Sequence, residues 1–380
     1  MVRRMFIHEL PGWPGLTWDA GVLANSLGRV RHRQGRLLGR MEALGFDLRD
    51  EANVLVLTRD VVESSAIEGE HLDATDVRSS IARRLGLPLA GLASTPSQRV
   101  EGIVEVLLDA TQGAREGLTQ ERLWGWHAAL FPTGFSGMRR IAVGEWRPPE
   151  AGPMQVVSGP VGRERLHFEA PAAERLTTEM GAFLEWFESS ARAADELDPV
   201  LIAAVAHLWF ITIHPFEDGN GRIGRAIADM ALARADGIAQ RFYSLSSQLM
   251  TERKDYYREL EAAQRGGLDI TNWLAWFLGC LDRAIDRSDE LVAGVLRRAR
   301  VWRRAEEQPG VNARQRSVLG RLLGDFKGHL TSSKYAIFAK CSSDTALRDI
   351  ESLVARGLLV RNPSGGRSTS YRLAEAEVQT

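Results

Sequence analysis

One apolar stretch dominates the hydrophobic pattern of the chain, Leu201-Ile202-Ala203-Ala204-Val205-Ala206-His207-Leu208-Trp209-Phe210-Ile211. It is apolar nearly all round, which predicts a helix buried on every side, over about Pro199–His214. Pro215 should stop it, because the residue before a proline is pushed out of the α region. Downstream, Ile223, Ile227, Met230 and Ala231 recur at helical spacing, so a second core helix runs to about Ala235. The remaining helices read as amphipathic. One is capped by Thr17 or Asp19 and runs to about Leu44, with an arginine-rich face that belongs in solvent. Another covers about 51–67, where Val54, Leu55, Leu57, Val61, Val62 and Ala66 form its stripe and Gly69 its C-cap. Further helices are expected at Ala74–Leu85, from Pro96 to Ala114, from Thr119 to Phe131, at Ala172–Arg192, from Arg253, and at Asn272–Arg287. Residues 6–16 read as an extended arm. Between 136 and 168 proline and glycine increase and the helical period stops. There Met154 to Pro160 predicts a strand, a turn and a β-hairpin.

Composition narrows the class. The chain has 380 residues, 44% apolar and 26% charged, enough for two or three globular domains. A net charge of −1 gives no global attraction to nucleic acid or anionic membrane. Cys280 and Cys341 are far apart in sequence, which implies neither a disulfide framework nor a zinc site. The N-terminus does not read as a signal peptide, and no apolar run reaches membrane-spanning length. A cytoplasmic protein with no membrane partner is the expectation.

The candidate chemistry is concentrated in Ile213-His214-Pro215-Phe216-Glu217-Asp218-Gly219-Asn220-Gly221-Arg222-Ile223-Gly224-Arg225. His214 ends a rigid helix. Glycine and asparagine tolerate positive φ, so Gly219-Asn220-Gly221 can form a tight loop with its N–H groups turned inward. The loop opens onto a helix N-terminus, an anion site. Arg222 and Arg225 add two guanidinium forks for phosphate oxygens, and Asp218 can hold Mg2+ bridging phosphates. A proline-stopped helix and a solvated glycine turn would explain a lone Gly-Asn-Gly, but not the whole string. His127 and His207, with no third ligand at metal spacing, read as packed core histidines.

His214 through Arg225 resembles the Fic motif, HxFx(D/E)GNGRxxR, at every specified position. Fic proteins are mostly protein adenylyltransferases, which take ATP with Mg2+ as substrate. The resemblance implies that His214 deprotonates a target hydroxyl, Phe216 anchors the loop, and Asp218 binds Mg2+. It also implies that Gly219, Asn220, Gly221 and Arg222 hold the α- and β-phosphates, and Arg225 the γ-phosphate. Ile223 and Gly224 complete the nucleotide-binding stretch. The helix with Tyr256 and Tyr257 would border the adenine; either ring is a candidate, and both can equally be packing residues.

Glu68 stands in the last turn of the helix at about 51–69, where the helix dipole disfavours an anion. In isolation it reads as a surface glutamate. Ser64…Glu68-Gly69, however, is similar to the Fic inhibitory motif, (S/T)xxxE(G/N), which implies that Glu68 pairs with Arg225 where the γ-phosphate would sit. The region at about 140–168 is similar to the Fic flap, which implies that Gln155, Val156, Val157 and Ser158 register a target segment by strand addition. On its own it reads equally as a plain excursion.

After about Gln308 the pattern changes again. Helices at Arg314–Leu323, Ser332–Phe338 and Ser342–Leu358 precede strands at Leu359–Arg361 and Ser370–Leu373. Three helices and a hairpin resemble a winged helix, with Gly365-Gly366-Arg367 at the wing tip. Residues 312–373 carry eleven Lys or Arg against four acids, a net of +7. This favours DNA contact, although such modules also dock proteins or form homodimers. The expected fold is mainly α: an all-helical core with a β-hairpin flap, plus a C-terminal winged helix-turn-helix. The expected domains are 1–95 with the inhibitory helix, 96–290 with the flap and residues 214–225, and 308–380. The expected activity is AMP transfer to a protein hydroxyl, including the chain's own, restrained by Glu68. The alternatives are AMP removal, use of another nucleotide, and a DNA-binding regulator whose core senses nucleotide.

Overall fold

The computed structural model describes residues 5–42, 46–87, 95–160, 163, 165–192, 197–308, 310–323, 328–363 and 369–374. The wing tip, Gly365-Gly366-Arg367, lies outside them. The chain forms two compact units, Met1–Asp289 and Glu290–Thr380.

In the first unit, α1 (Ala20–Glu42) starts where the Asp19 carboxylate accepts from the N–H groups of Gly21 and Val22. It is followed by α2 (Phe46–Ile67) and α3 (Ala74–Arg84), the latter capped by Asp73. Next come α4 (Gln98–Gln112) and α5 (Gln120–Leu130). Pro96 does not open α4; Ser97 caps it, accepting from Val100 N–H. Two β-pairs follow, β1 (Phe135–Ser136) with β2 (Arg139–Arg140) and β3 (Gln155–Ser158) with β4 (Arg165–Glu169), both antiparallel. Then α6 (Leu176–Arg192) leads into α7 (Pro199–Ile213) and α8 (Asn220–Asp236). The pattern did not predict α9 (Leu245–Thr251), which is capped by Ser244. After it come α10 (Arg253–Gln264) and α11 (Thr271–Glu307). The boundary between the units falls inside α11, which continues twenty residues past the expected end. No proline intervenes, and Gly294 alone does not break a helix.

The core of this unit is α7. Every residue from Val200 to Ile213 is buried, as the uninterrupted apolar pattern requires. It packs mainly on α8 and α6. Close approach to α8 depends on Gly224, where an added Cβ would lie 2.8 Å from Ile211. Around α8, α2 is held by a buried polar network. Asp60 of α2 accepts from Ser244 Oγ at 2.6 Å, while Arg241 pairs with Asp229 and Asp236 of α8 at 3.1 and 3.0 Å. Burial, with Asp60 close by, pushes the Asp229 carboxyl up to about 8.

The second unit contains α12 (Ala313–Leu323), α13 (Ser332–Ala339), α14 (Ser343–Ala355), and the antiparallel pair β5 (Leu359–Arg361) and β6 (Tyr371–Leu373). Its apolar core includes Val318, Leu330, Ile350, Leu353 and Leu359. Asp349 of α14 ties the helices together through Arg314 at 2.6 Å and the hydroxyl of Tyr335 at 3.1 Å. The architecture is mainly helical, with three small two-stranded antiparallel pairs among the described residues.

Candidate active site

The turn between α7 and α8 is built from the inside outward. Phe216 is fully buried and stacks on His127, centroids 4.1 Å apart and planes 9° from parallel. Trp146 flanks it at 5.1 Å. His127 is fixed at both nitrogens. Gly144 N–H donates to Nδ1 at 3.3 Å, so Nε2 carries the proton that meets the Asp218 carbonyl at 3.2 Å. Burial lowers this imidazole to about 4. Asn220 closes the turn by accepting from Phe216 N–H at 2.9 Å and donating to Phe216 O at 2.8 Å.

These bonds change the expected picture of the loop. Only Gly219, at φ 83°, is left-handed; Asn220 and Gly221 already belong to α8. The Asn220 side chain serves the fold, spending its oxygen and one of its two amide N–H donors on Phe216. The Ile223 side chain is fully buried and Gly224 faces α7, so both pack against the core. What remains open is the first turn of α8, whose N–H groups have no acceptor within the helix.

His214 follows α7 in a left-handed conformation, φ 52° and ψ 58°. Its Nδ1 lies 3.2 Å from the Ile211 carbonyl, which only accepts, so the proton is on Nδ1 and Nε2 presents a lone pair. Burial lowers the ring to about 4, the backbone bond opposing and the Arg147 charge reinforcing the effect. Arg147 was not picked out from the sequence. It is buried, and its Nε donates to the His214 carbonyl at 2.9 Å while Nη2 reaches the Pro171 carbonyl. It thus fixes the backbone that carries the histidine. The only signal for it was an arginine set between Trp146 and Pro148.

The two acids of the turn separate by partner. Glu217 accepts from Arg139 at 2.6 Å and from Ala142 N–H at 2.7 Å, securing the β1–β2 hairpin. Asp218 accepts from Gly219 N–H at 2.5 Å and from Ser136 Oγ, and its side chain is 43% exposed. Asp218 is therefore the accessible carboxylate. Among the described residues, no three His, Cys, Asp or Glu side chains converge as a ready-made metal cluster.

Arg222 and Arg225 of α8 are buried, and both meet the segment that ends α2. Arg225 donates from Nε to Ser64 Oγ at 2.9 Å, and from Nη2 to Ser64 O at 2.9 Å and Glu68 Oε1 at 2.8 Å. Burial works against the Arg225 charge, but the Glu68 carboxylate outweighs it and holds the guanidinium above its ordinary range. The carboxylate lies so close to α8 that a Cβ on Gly221 would come within 2.0 Å of Oε1. Arg222 lies over the Phe131 ring at 5.0 Å and donates from Nη1 to Glu70. Its Nε is buried and, among the described residues, has no partner.

Of the two tyrosines, Tyr256 is 2% exposed and bonds His207 Nε2 through its hydroxyl at 2.9 Å. It packs in the core, so of the two rings it is the less accessible. Tyr257 is 40% exposed, with Arg253 over its ring at 5.5 Å. His207 is buried and stacked on Trp273, as expected of a core histidine. Gln155, Val156, Val157 and Ser158 form β3, all exposed, and among the described residues β3 pairs only with β4. The inner strand is pinned from behind by the N-terminal arm, where Phe6 packs edge-on against Phe168 and His8 reaches the Glu169 carbonyl.

Comparison with known proteins agrees with this geometry. Residues 117–232 match the Fic/DOC family, and residues 6–87 match a domain of unknown function, DUF4172. The chain is 36% identical over 118 residues to the protein adenylyltransferase Fic of Nematostella vectensis, covering 30% of this chain and 25% of that protein. It is 30% identical over 131 residues to the protein adenylyltransferase fic-1 of Caenorhabditis briggsae, covering 34% and 24%. It thus spans about a quarter of the length of these curated relatives. A crystal structure of a Fic family protein from Desulfovibrio desulfuricans G20 has a TM-score of 0.52 at 20% identity, covering 94% of this chain and 97% of that one. A Fic domain containing signaling protein from Bacteroides thetaiotaomicron VPI-5482 gives 0.51 at 19%, covering 70% and 98%. These structural likenesses establish a shared fold.

Proposed function

We propose that this chain is a protein adenylyltransferase that moves AMP from Mg-ATP to a hydroxyl of a protein, including itself, and that Glu68 restrains it. The observation that carries the reading is the Ser64–Arg225–Glu68 cluster lying over the first turn of α8, beside a neutral His214. The residues fit a triphosphate. Arg222 Nε is a buried donor with no acceptor among the described residues, and the place over Gly221, where a Cβ would meet Glu68 Oε1 at 2.0 Å, already holds an anion. Asp218, the accessible carboxylate, suits Mg2+, which would offset charge on the phosphates.

His214 Nε2 takes the proton of the target hydroxyl as its oxygen bonds to the α-phosphorus. The bond from that phosphorus to the bridging oxygen breaks, and pyrophosphate leaves. Arg222 and the open N–H groups of α8 stabilise charge on the phosphates. Tyr257 borders the base, and β3 registers the target backbone. Glu68 and a γ-phosphate cannot both hold Arg225, so the native protein seats ATP poorly.

The test is automodification from α-labelled ATP by Glu68→Gly, compared with the native protein and with Glu68→Gly/Arg225→Ala. Transfer should rise in the first variant and be lost again in the double. Unchanged transfer in Glu68→Gly with every nucleotide tried would refute the inhibitory reading.

A second reading concerns the C-terminal unit. The +7 charge of residues 312–373 supports DNA binding through a winged helix. The full chain should shift duplex DNA at low salt, with an affinity that falls steeply as salt rises. A chain ending near residue 307 should not. Equal shifts by both would move the contact elsewhere.

A further inference from the structure

The segment after α2 carries a second carboxylate, which the chemistry above leaves unused. Both oxygens of Glu70 lie 3.1 Å from Nη1 of Arg222. Arg99 of α4 grips the same carboxylate from outside. Arg222 is 4% exposed. A guanidinium so far from water needs a counter-charge within hydrogen-bond reach, or its fork is not held in one place. Asp218, at 3.7 Å from Nη2, is too distant to supply that bond. Glu70 supplies it, and it occupies one corner of the fork only. Among the described residues Nε has no partner, and Nη2 is turned toward Asp218.

We infer that Glu70 is a positioning residue for the phosphate site, holding Arg222 through Nη1 so that Nη2 and Nε point at a phosphate oxygen. The inference rests on the phosphate reading of the loop proposed above, and it assigns Glu70 a role opposite to that of Glu68. Glu68 ends on Arg225 and competes for it. Glu70 ends on Arg222 and orders it. The residue between them, Gly69, is left-handed at φ 80°, with open space where a Cβ would project. That turn lets two carboxylates two residues apart diverge onto two different arginines.

The test uses the full chain in a Glu68→Gly background. Glu70→Ala, Glu70→Gln and Arg99→Ala are compared by KM for Mg-ATP, kcat of automodification, calorimetric titration with Mg-ATP, and Tm. Glu70→Ala should raise KM and the dissociation constant about tenfold, the worth of one charge-assisted hydrogen bond, with a smaller change in kcat. Glu70→Gln keeps an acceptor oxygen and should recover most of the loss. Arg99→Ala leaves the Arg222 contact in place and should change KM by roughly threefold at most. Tm should stay within a few degrees throughout. Faster transfer in Glu70→Ala would make Glu70 a second inhibitor. An unchanged KM would make it a bystander. A fall in kcat that follows a fall in Tm, with no rescue by Gln, would make it structural. Each of these overturns the inference. A Glu68→Gly parent that neither binds nor transfers would refute the phosphate reading itself, and Glu70's role with it; a competent parent confines the outcome to Glu70.

Discussion

Asn220 grips the backbone of Phe216 at both ends, accepting from its N–H at 2.9 Å and donating to its carbonyl at 2.8 Å. Both residues are buried. Asn220→Ala therefore orphans a buried donor and a buried acceptor, each costing about 1–3 kcal/mol. Urea unfolding should register that loss, and Mg-ATP binding should weaken with it because the turn opens. A stability within about 0.5 kcal/mol of native would mean that the clamp contributes little.

His214→Ala should abolish transfer, by about a hundred- to ten-thousandfold, while calorimetry still finds Mg-ATP binding close to native in a Glu68→Gly background. Among the described residues the ring makes one bond, to Ile211 O, which leaves Nε2 for a hydroxyl. Loss of nucleotide affinity on the same scale as loss of rate would assign His214 to binding instead.

The acids of the turn should part company on mutation. Asp218→Ala should remove Mg2+-dependent transfer and leave Tm nearly unchanged, since that side chain is 43% exposed. Glu217→Ala should release Arg139 and Ala142 and lower Tm, with the metal dependence preserved. Metal titrations of the two variants decide the matter, and a reversed pattern would exchange their roles.

Acid should weaken the fold through buried histidines. His127 and His207 are both lowered to about 4 by burial. Below about 6.5 the unfolded chain binds protons that the native rings refuse. Stability is therefore full above that pH and is lost as pH falls toward 4, by on the order of a few kcal/mol for the pair. Asp229, held up to about 8, works in the opposite sense over this range, so the histidine contribution is read as the change in the pH 7.5-to-5 difference in denaturant midpoint when His127 is replaced, His127→Gln losing less stability in acid than native. The transfer rate, in contrast, should show no acid limb near 6.5, because His214 is already neutral there. A limb centred at 6.5 would mean that its ring is solvated.

Much of the molecule was legible where one local pattern carried the information. The apolar run of α7, the proline after His214 and the glycine at 219 specify helix, stop and turn within a few residues of each other. The Glu68–Arg225 pair spans 157 positions, yet it was accessible because each end lies in a recognisable string and a carboxylate at a helix end calls for a cation. The Glu70–Arg222 pair spans 152 positions and was not, because nothing local distinguishes Glu70 from a solvated acid. The same limit explains Tyr256 and Tyr257. They are adjacent on one helix and alike in chemistry, and only tertiary packing decides that one ring is buried against His207. The length of α11 was missed because no stop signal marks where one unit's share of a helix ends.

The left-handed backbone of His214 has a further meaning. A non-glycine residue at φ 52° carries strain of about 1–3 kcal/mol, and this one also keeps an imidazole out of water. Selection for folding alone would replace it with glycine. His214→Gly should thus yield a more heat-resistant molecule that no longer transfers anything. The stability gained there and the base lost there are the two sides of one substitution, so durability and transfer trade against each other at a single backbone position.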